Sequence, residues 1–341
     1  MTAKTRYFVI VSLLVLGVGL GTGLVAYYVG FPAGAFARAG GPDELQFVPR
    51  DATLVAYADV HEVMTSELRQ KLHSALPVPG EGQREFEDKT GINIETDIDR
   101  IVACLDPNLQ DGGKPNNGMV LARGRFNETK IEALMREHGA EVQDYHGKRL
   151  LVGPRMDDGK PRQLSAAFIE PGLLALGSAP LVRSAIDLHQ SGDNPQAGLQ
   201  SVTGNEELMN LVRSLESGNF WAVGRFDALQ AQAHLPQEVS TRIPAITWFA
   251  VSGHVNGGLR GVLRAETRDE EAANNLRDVV RGFLALGKMQ AGSRPEIQTM
   301  MDSLELGGTG KTVALSFNVP AGVFDAVAAA SGHSLKKPPV Q

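Results

Sequence analysis

Trp248 to Ala265 reads WFAVSGHVNGGLRGVLRA, and this stretch decides the class of fold. Trp248 to His254 is an apolar, strand-like run, Asn256-Gly257-Gly258 is a turn, and Leu259 to Ala265 is a second strand-like run. Asn-Gly between two such runs is the strongest short-range signal for a hairpin. A turn this short cannot hold the crossover helix that parallel strands need, so the neighbouring strands are antiparallel.

Working outward, the same local unit recurs six times: an apolar strand, a residue able to cap a helix, then apolar residues at helical spacing. Leu54 to Ala58 leads to Asp59, Met119 to Phe126 to Asn127, and Leu173 to Gly177 to Ser178. Phe220 to Phe226 leads to Asp227, Leu259 to Glu266 to Thr267, and Val313 to Phe317 to Asn318. Thr267 with Glu270 reads as a capping box, and Asp227 with Gln230 as a weaker one. The spacing from Asn127 to Ser178 equals that from Thr267 to Asn318, with Pro180 and Pro320 two residues after their caps. Gly124-Arg125-Phe126-Asn127 recurs as Gly224-Arg225-Phe226-Asp227, though at a different place in its half.

The expected fold is therefore α+β, antiparallel sheets with amphipathic helices packed on them, as two similar lobes from an internal duplication. One continuous sheet lined by helices is the alternative. Ala272, Leu276, Val279, Val280, Phe283 and Leu284 stripe one side of a long helix, and Ile297, Met300, Met301 and Leu304 one side of a shorter one. Both stripes are expected to pack on a sheet, with lipid binding by the same faces as the alternative.

Phe8 to Gly30 (FVIVSLLVLGVGLGTGLVAYYVG) carries no charge and is long enough to cross a bilayer as a helix. Tyr7 and Phe8 at one end and Tyr27, Tyr28 and Phe31 at the other suit the two interfaces. Lys4 and Arg6 precede the run, against Arg38 alone just beyond it, so the N-terminus is expected in the cytoplasm and the rest outside it. A retained anchor fits this length; Ala33-Gly34-Ala35 and Ala35-Phe36-Ala37 would serve a cleaved signal peptide, the alternative. Within the run Gly17 and Gly21 share one helix face, and Gly19 and Gly23 lie nearly opposite. These small-xxx-small pairs suit helix packing and a homodimer, although glycine is common in membrane helices without that role.

The boundaries follow. Residues 1–7 are the cytoplasmic N-terminus, 8–30 the transmembrane helix, and 31–43 a Gly-, Ala- and Pro-rich tether spanning at most roughly 40 Å. Residues 44–190 form the first lobe, 191–202 a linker, 203–330 the second lobe and 331–341 a polar tail. The formal net charge is −6, and setting aside Lys4 and Arg6 leaves −8, which argues against nucleic acid and against an electrostatic grip on anionic lipid. With 43% hydrophobic residues the chain can bury a substantial core. The single cysteine, Cys104, permits no internal disulfide and no lipid near the N-terminus, and sits in a strand-like run as a small core side chain.

No string carries a recognisable chemistry. Gly307-Gly308-Thr309-Gly310-Lys311-Thr312 ends like a phosphate loop, but Glu305 stands where that motif needs its first glycine. Thr312 to Phe317 moreover alternates like a strand where the motif opens a helix, so the string is read as a hairpin turn and no nucleotide is expected. His61-Glu62 lacks a second histidine at metal-ligand spacing and reads as the acidic start of a helix, while His146 and His254 occupy turn positions where solvated histidines are ordinary. Asp97 and Asp99, Asp157-Asp158-Gly159 and Asp269-Glu270-Glu271 are helix starts and turns, and Ser178 lacks the flanking glycines of a hydrolase serine. No catalytic, cofactor-binding or metal-binding residue is expected. The polar loop Asp106 to Gly118 is expected to be mobile, with a functional loop as the alternative.

Val48-Pro49-Arg50-Asp51-Ala52-Thr53-Leu54-Val55-Ala56-Tyr57 follows the apolar run, and Phe86 to Gly91 (FEDKTG) and Asp97-Ile98-Asp99-Arg100 lead into a strand. Together these resemble bacterial membrane-anchored proteins that carry a periplasmic domain of unknown function. In those a Pro-x-Asp-Ala opening strand and a Thr-Gly-Ile/Leu-Asp helix end recur; here Asn93 stands in the last position. The resemblance covers the first lobe and part of the second, implies a bacterial inner-membrane protein with a periplasmic domain, and carries over no catalytic residue. The expectation is a non-catalytic envelope binding or scaffold protein with a protein partner. A binder of lipid or another apolar ligand is the alternative, and a periplasmic enzyme the third reading.

Overall fold

The computed structural model describes residues 41–70, 87–106, 118–154, 164–192, 200–226, 246–291 and 295–324, with the backbone alone for 290 and 295–297. The run Phe8 to Gly30 with Gly17, Gly19, Gly21 and Gly23, most of the tether and of the Asp106 to Gly118 loop, Asp157-Asp158-Gly159, Asp227 and the tail lie outside them. Among the described residues no helix is long and apolar enough to cross a membrane.

Twelve strands form one sheet in which every neighbouring pair is antiparallel. They are β1 (Leu54–Asp59), β2 (Ile98–Leu105), β3 (Gly118–Gly124), β4 (Glu141–Tyr145), β5 (Lys148–Val152) and β6 (Leu164–Glu170). There follow β7 (Leu173–Ser178), β8 (Phe220–Arg225), β9 (Ile246–Val255), β10 (Gly258–Thr267), β11 (Glu305–Gly307) and β12 (Thr312–Pro320). The order across the sheet is β11-β12-β10-β9-β8-β1-β2-β3-β7-β6-β5-β4. Strands of both sequence halves therefore share one sheet, joined where β1 pairs with β8 from Leu54↔Gly224 to Ala58↔Phe220.

The hairpin at Trp248 to Ala265 forms as read, with Val251 opposite Leu263. Its turn has no residue with positive φ, so it is not the left-handed geometry that makes Asn-Gly favourable in hairpins. The Asn256 N–H instead donates to Gly258 O at 3.0 Å. Left-handed residues occur at a hairpin without that signature: His146 (φ 53) and Gly147 (φ 74) link β4 to β5.

Successive residues of β1 feed different clusters, because side chains alternate across a strand. Val55 and Tyr57 join the main core, with the 3-10 helix Asp43–Phe47 and two of the helices, numbered α1 to α7 along the chain: α4 (Ala179–Gln190) and α5 (Glu206–Arg213). Ala56 joins a cluster on the opposite face with Ala103, Phe220, Ala222 and Val251. That second face also carries α3 (Glu128–Glu137), through Met135, and α6 (Glu270–Ala291) with α7 (Pro295–Asp302), through Leu284, Met300 and Met301. Two further short helices among the described residues are α1 (Val60–Met64) and α2 (Ile94–Asp97). Cys104 is buried in the main core, and burial pushes its thiol up to about 12, as a small core side chain requires.

The caps hold in part. Asp59 and Asn127 accept from the N–H groups of Glu62 and Lys130, as expected. The box at Thr267 and Glu270 does not form: Asp269 Oδ1 accepts from Ala272 N at 2.8 Å, while the Thr267 hydroxyl donates to Asp269 O and Lys311 O. Ser178 stands at the start of α4 but makes no cap bond, and Pro180 occupies the first turn. Asn318 is a strand residue, because β12 continues to Pro320. There Ser303 Oγ donates to Asn318 O at 2.6 Å and accepts from Asn318 N at 3.1 Å.

The 3-10 helix is fixed by Glu44, 1% exposed, which accepts from Arg100 Nε at 3.1 Å and from Arg123 Nε at 2.6 Å. Arg123 also pairs with Glu170 at 3.2 Å. Burial pulls the Glu44 carboxyl upward, but the two guanidinium hydrogen bonds outweigh it and hold the group below its ordinary value. A lowered folded value stabilises the fold above the unfolded carboxyl's pKa and is lost as pH falls through the folded one. Glu44→Gln removes the counter-charge that Arg100 and Arg123 share, leaving Arg123 with Glu170 alone, at an expected cost of about 2–3 kcal/mol at pH 7. Denaturant titration should show that gap shrinking towards pH 3; equal stabilities at pH 7 would remove the clamp's role.

Candidate functional site

A groove lies on the α5 side of the sheet, between that helix and the β11–β12 turn. Its volume is about 460 Å³, and its lining includes Leu211, Ser214, Phe249, Arg264, Glu266 and Thr312. Period-2 alternation brings Arg264 and Glu266 to this face of β10, beside Ala250 of β9 and Ala314 of β12. The turn is built by glycine: Gly308 has φ 93, and a Cβ there would meet Thr312 O at 2.4 Å. Arg277 of α6 braces it by donating Nη2 to Gly310 O at 3.0 Å and to Thr312 O at 2.9 Å.

Glu305 begins β11 and Leu306 pairs with Leu315, so the Gly307 to Thr312 string is the hairpin turn its alternation predicts. A phosphate loop opens a helix, and a strand follows here.

Four of the groove's polar side chains have hydrogen-bond partners within the chain. Arg264 donates Nη1 to Ser214 O at 2.6 Å and Nη2 to Glu216 at 3.4 Å, and Thr312 Oγ1 donates to Glu266 Oε1 at 2.7 Å. The Ser214 hydroxyl is committed to Leu211 O at 2.7 Å. No serine–base pair results from these bonds.

The histidines lie elsewhere. His254 Nε2 faces Glu62 Oε1 at 3.6 Å, and His146 Nδ1 faces Asp187 Oδ1 at 3.4 Å while its ring stacks on Tyr145. Tyr145 OH donates to Asp187 Oδ2 at 3.1 Å. Neither histidine is a merely solvated turn residue, since each is placed against a carboxylate that sequence neighbours do not disclose. Among the described residues no group of three or more His, Cys, Asp or Glu is arranged to hold a metal ion.

The strongly shifted carboxyl, Asp59, is the cap of α1 and lies outside the groove's lining. Burial pushes it up to about 6, against a relief from its hydrogen bond with Glu62 N.

The long helix departs from expectation. Ala272 and Ala273 are buried and Leu284 packs against the Met300 cluster, but Val279 and Phe283 are 40% and 50% exposed. Leu286 and Met289 join them at 52% and 80%. At 100° per residue, Val279, Phe283 and Leu286 fall within about 60° of arc, turned roughly 100° from the face that Ala273, Val280 and Leu284 present to the sheet. The apolar arc of α6 is wider than the sheet can cover, and part of it is left facing solvent.

Compared with protein families, with curated proteins and with solved structures, the chain shows no match in any of the three.

The raised Asp59 value has a definite consequence. Protonation favours the fold, so the stabilisation is present below the unfolded value of 3.8 and is lost as pH rises through about 6. Asp59→Asn keeps a cap acceptor without the buried charge, and is expected to be more stable than the parent by about 1–2 kcal/mol at pH 8. Denaturant curves at pH 8 and pH 4 test this: the gain should vanish at the lower pH, and no gain at pH 8 would contradict it.

Proposed function

We propose that this chain is a non-catalytic, single-pass envelope protein: Phe8 to Gly30 is its anchor, and the rest, in the bacterial periplasm, binds a protein partner as a scaffold. The observation that carries the reading is the apolar stripe of Val279, Phe283, Leu286 and Met289 on α6, exposed in a helix otherwise docked on the sheet. Contiguous exposed apolar surface of this kind marks contact with another macromolecule. In the groove, Arg264 is held by Ser214 O and Glu216, the Ser214 hydroxyl by Leu211 O and the Thr312 hydroxyl by Glu266, so these groups already have partners within the chain.

The anchor and its orientation rest on the length of the run and on Lys4 and Arg6 before it. Resemblance of Val48 to Tyr57 and of the Asp97 to Arg100 segment to bacterial membrane-anchored proteins points to the same place. An internal duplication accounts for the strand order: outward from β1 come β2, β3 and β7, and outward from β8 come β9, β10 and β12. In each half a helix follows the third strand before the chain returns to pair with it.

Native mass spectrometry of the full-length protein, extracted gently from its own membrane, is the test. A bound protein should be retained by the parent and lost from Phe283→Glu. A bare monomer for both would count against a scaffold, and bound lipid alone would favour the apolar-ligand reading. A reporter enzyme active only outside the cytoplasm, fused after Gln341, should be active.

A further inference from the structure

β4 ends the sheet, with β5 as its one neighbour in the strand order. His146 (φ 53) and Gly147 (φ 74) make a two-residue turn with both φ positive, in which Tyr145 and Lys148 close the ladder as a hydrogen-bonded pair. Gln143 with Leu150 and Glu141 with Val152 are then bonded likewise, while Val142 and Asp144 turn their N–H and C=O groups outward. Among the described residues no hydrogen bond reaches those four backbone groups. The opening has definite ends. At one the Ala140 N–H donates to Met135 O at 2.9 Å, and at the other His146 O accepts from Gln190 Nε2 at 2.7 Å. The strand is also held in place, because Arg183 donates to Gln143 Oε1 at 3.2 Å and Tyr145 OH donates to Asp187 Oδ2 at 3.1 Å, both from the same side of α4.

The charges beside this opening say what it accepts. Glu141 and Asp144 are both exposed, and alternation along the strand puts Glu141 on the face that carries α4 and Asp144 on the face that carries α3. Asp144 Oδ1 accepts from Gly147 N at 3.3 Å, but among the described residues neither carboxylate is in an ion pair. The neighbouring cations are engaged elsewhere. Arg136 and Arg149 pair with Glu132, Arg183 lies on Gln143 and the Tyr145 ring, Lys148 reaches Ile169 O and His146 faces Asp187.

We infer that β4 is a docking edge for an extended segment of another protein, one with two Lys or Arg residues three positions apart. Laid beside β4, that segment exchanges backbone hydrogen bonds with the open N–H and C=O groups of Val142 and Asp144. Side chains three apart on a strand point to opposite faces, so one cation meets Glu141 and the other Asp144. β4 of a second copy is a poor occupant, because it repeats the two carboxylates and brings no cation of its own. The site is separate from α6, and the inference does not rest on the stripe there.

The test uses the full-length protein in detergent and two labelled probe peptides, Thr-Lys-Thr-Val-Lys-Thr and its twin with Glu in place of both Lys. By fluorescence anisotropy the Lys peptide should bind at least about tenfold more tightly than the Glu peptide. Hydrogen exchange in the segment 141–145 should slow when it is bound. Glu141→Lys combined with Asp144→Lys should reverse the preference, which a mere loss of structure cannot do. Val142→Pro removes one outward N–H at an edge, where proline is tolerated, and should weaken the Lys peptide about fivefold with both carboxylates in place. Equal affinity for the two peptides, or binding that leaves exchange at 141–145 unchanged, would overturn the inference. So would a dimer that protects the same segment before any peptide is added. Phe283→Glu should leave the affinity as it is, so that failure here and failure of the α6 reading are told apart; a loss in that variant would move the site to α6 and overturn the assignment to β4.

Discussion

Five antiparallel residue pairs between β1 and β8 are the constraint on which the rest depends. Both strands are buried along nearly their whole length, and each supplies side chains to clusters on the two faces of the sheet. Without that ladder each half would present a long apolar edge, and the main core, which takes residues from β1, β2 and β3 as well as β8 and β9, would have no common floor. The 3-10 helix and α5 lie over this junction: Leu45, Phe47 and Val48 share the core with Leu208, Met209 and Val212. The Pro49 to Ser201 bridge and the bonds from Arg50 N to Gln200 O and Val202 N to Val48 O hold the same segments together at the backbone.

Glu44 shows how the polar part of the core follows from this geometry. Arg100 and Arg123 lie on neighbouring strands and pair with each other in register. Two cations side by side on an inward face need an anion between them, and the short helix before β1 brings one. The cost of burying the carboxylate is offset by charged hydrogen bonds from both sides, while the arginines keep partial contact with water.

What the sequence disclosed was local. The hairpin at Trp248 to Ala265, the glycine turn before Thr312 and the caps at Asp59 and Asn127 each depend on residues within a few positions of one another, and each is where the pattern put it. His146 was placed at a turn, but its left-handed backbone and its carboxylate partner Asp187 had no local mark, and Ser178 and Thr267 were over-read because cap chemistry was inferred from residue type without the geometry. The β1·β8 ladder joins residues far apart in the chain and leaves no mark in local periodicity. The α6 stripe was legible as an apolar pattern, but periodicity reports how wide such a face is and not how much of it the sheet covers. The groove had no signature at all, since its members come from α5, β9, β10, β12 and a turn.

Ser303 has a wider significance than its two hydrogen bonds suggest. Where the three-residue β11 stops short of covering β12, its hydroxyl takes up both the N–H and the C=O of Asn318, imitating one further residue of β11. A sheet of this width with bare borders would be a template for end-to-end polymerisation. A side chain from the same molecule thereby takes the backbone groups of Asn318 out of reach of a further strand on this stretch of border.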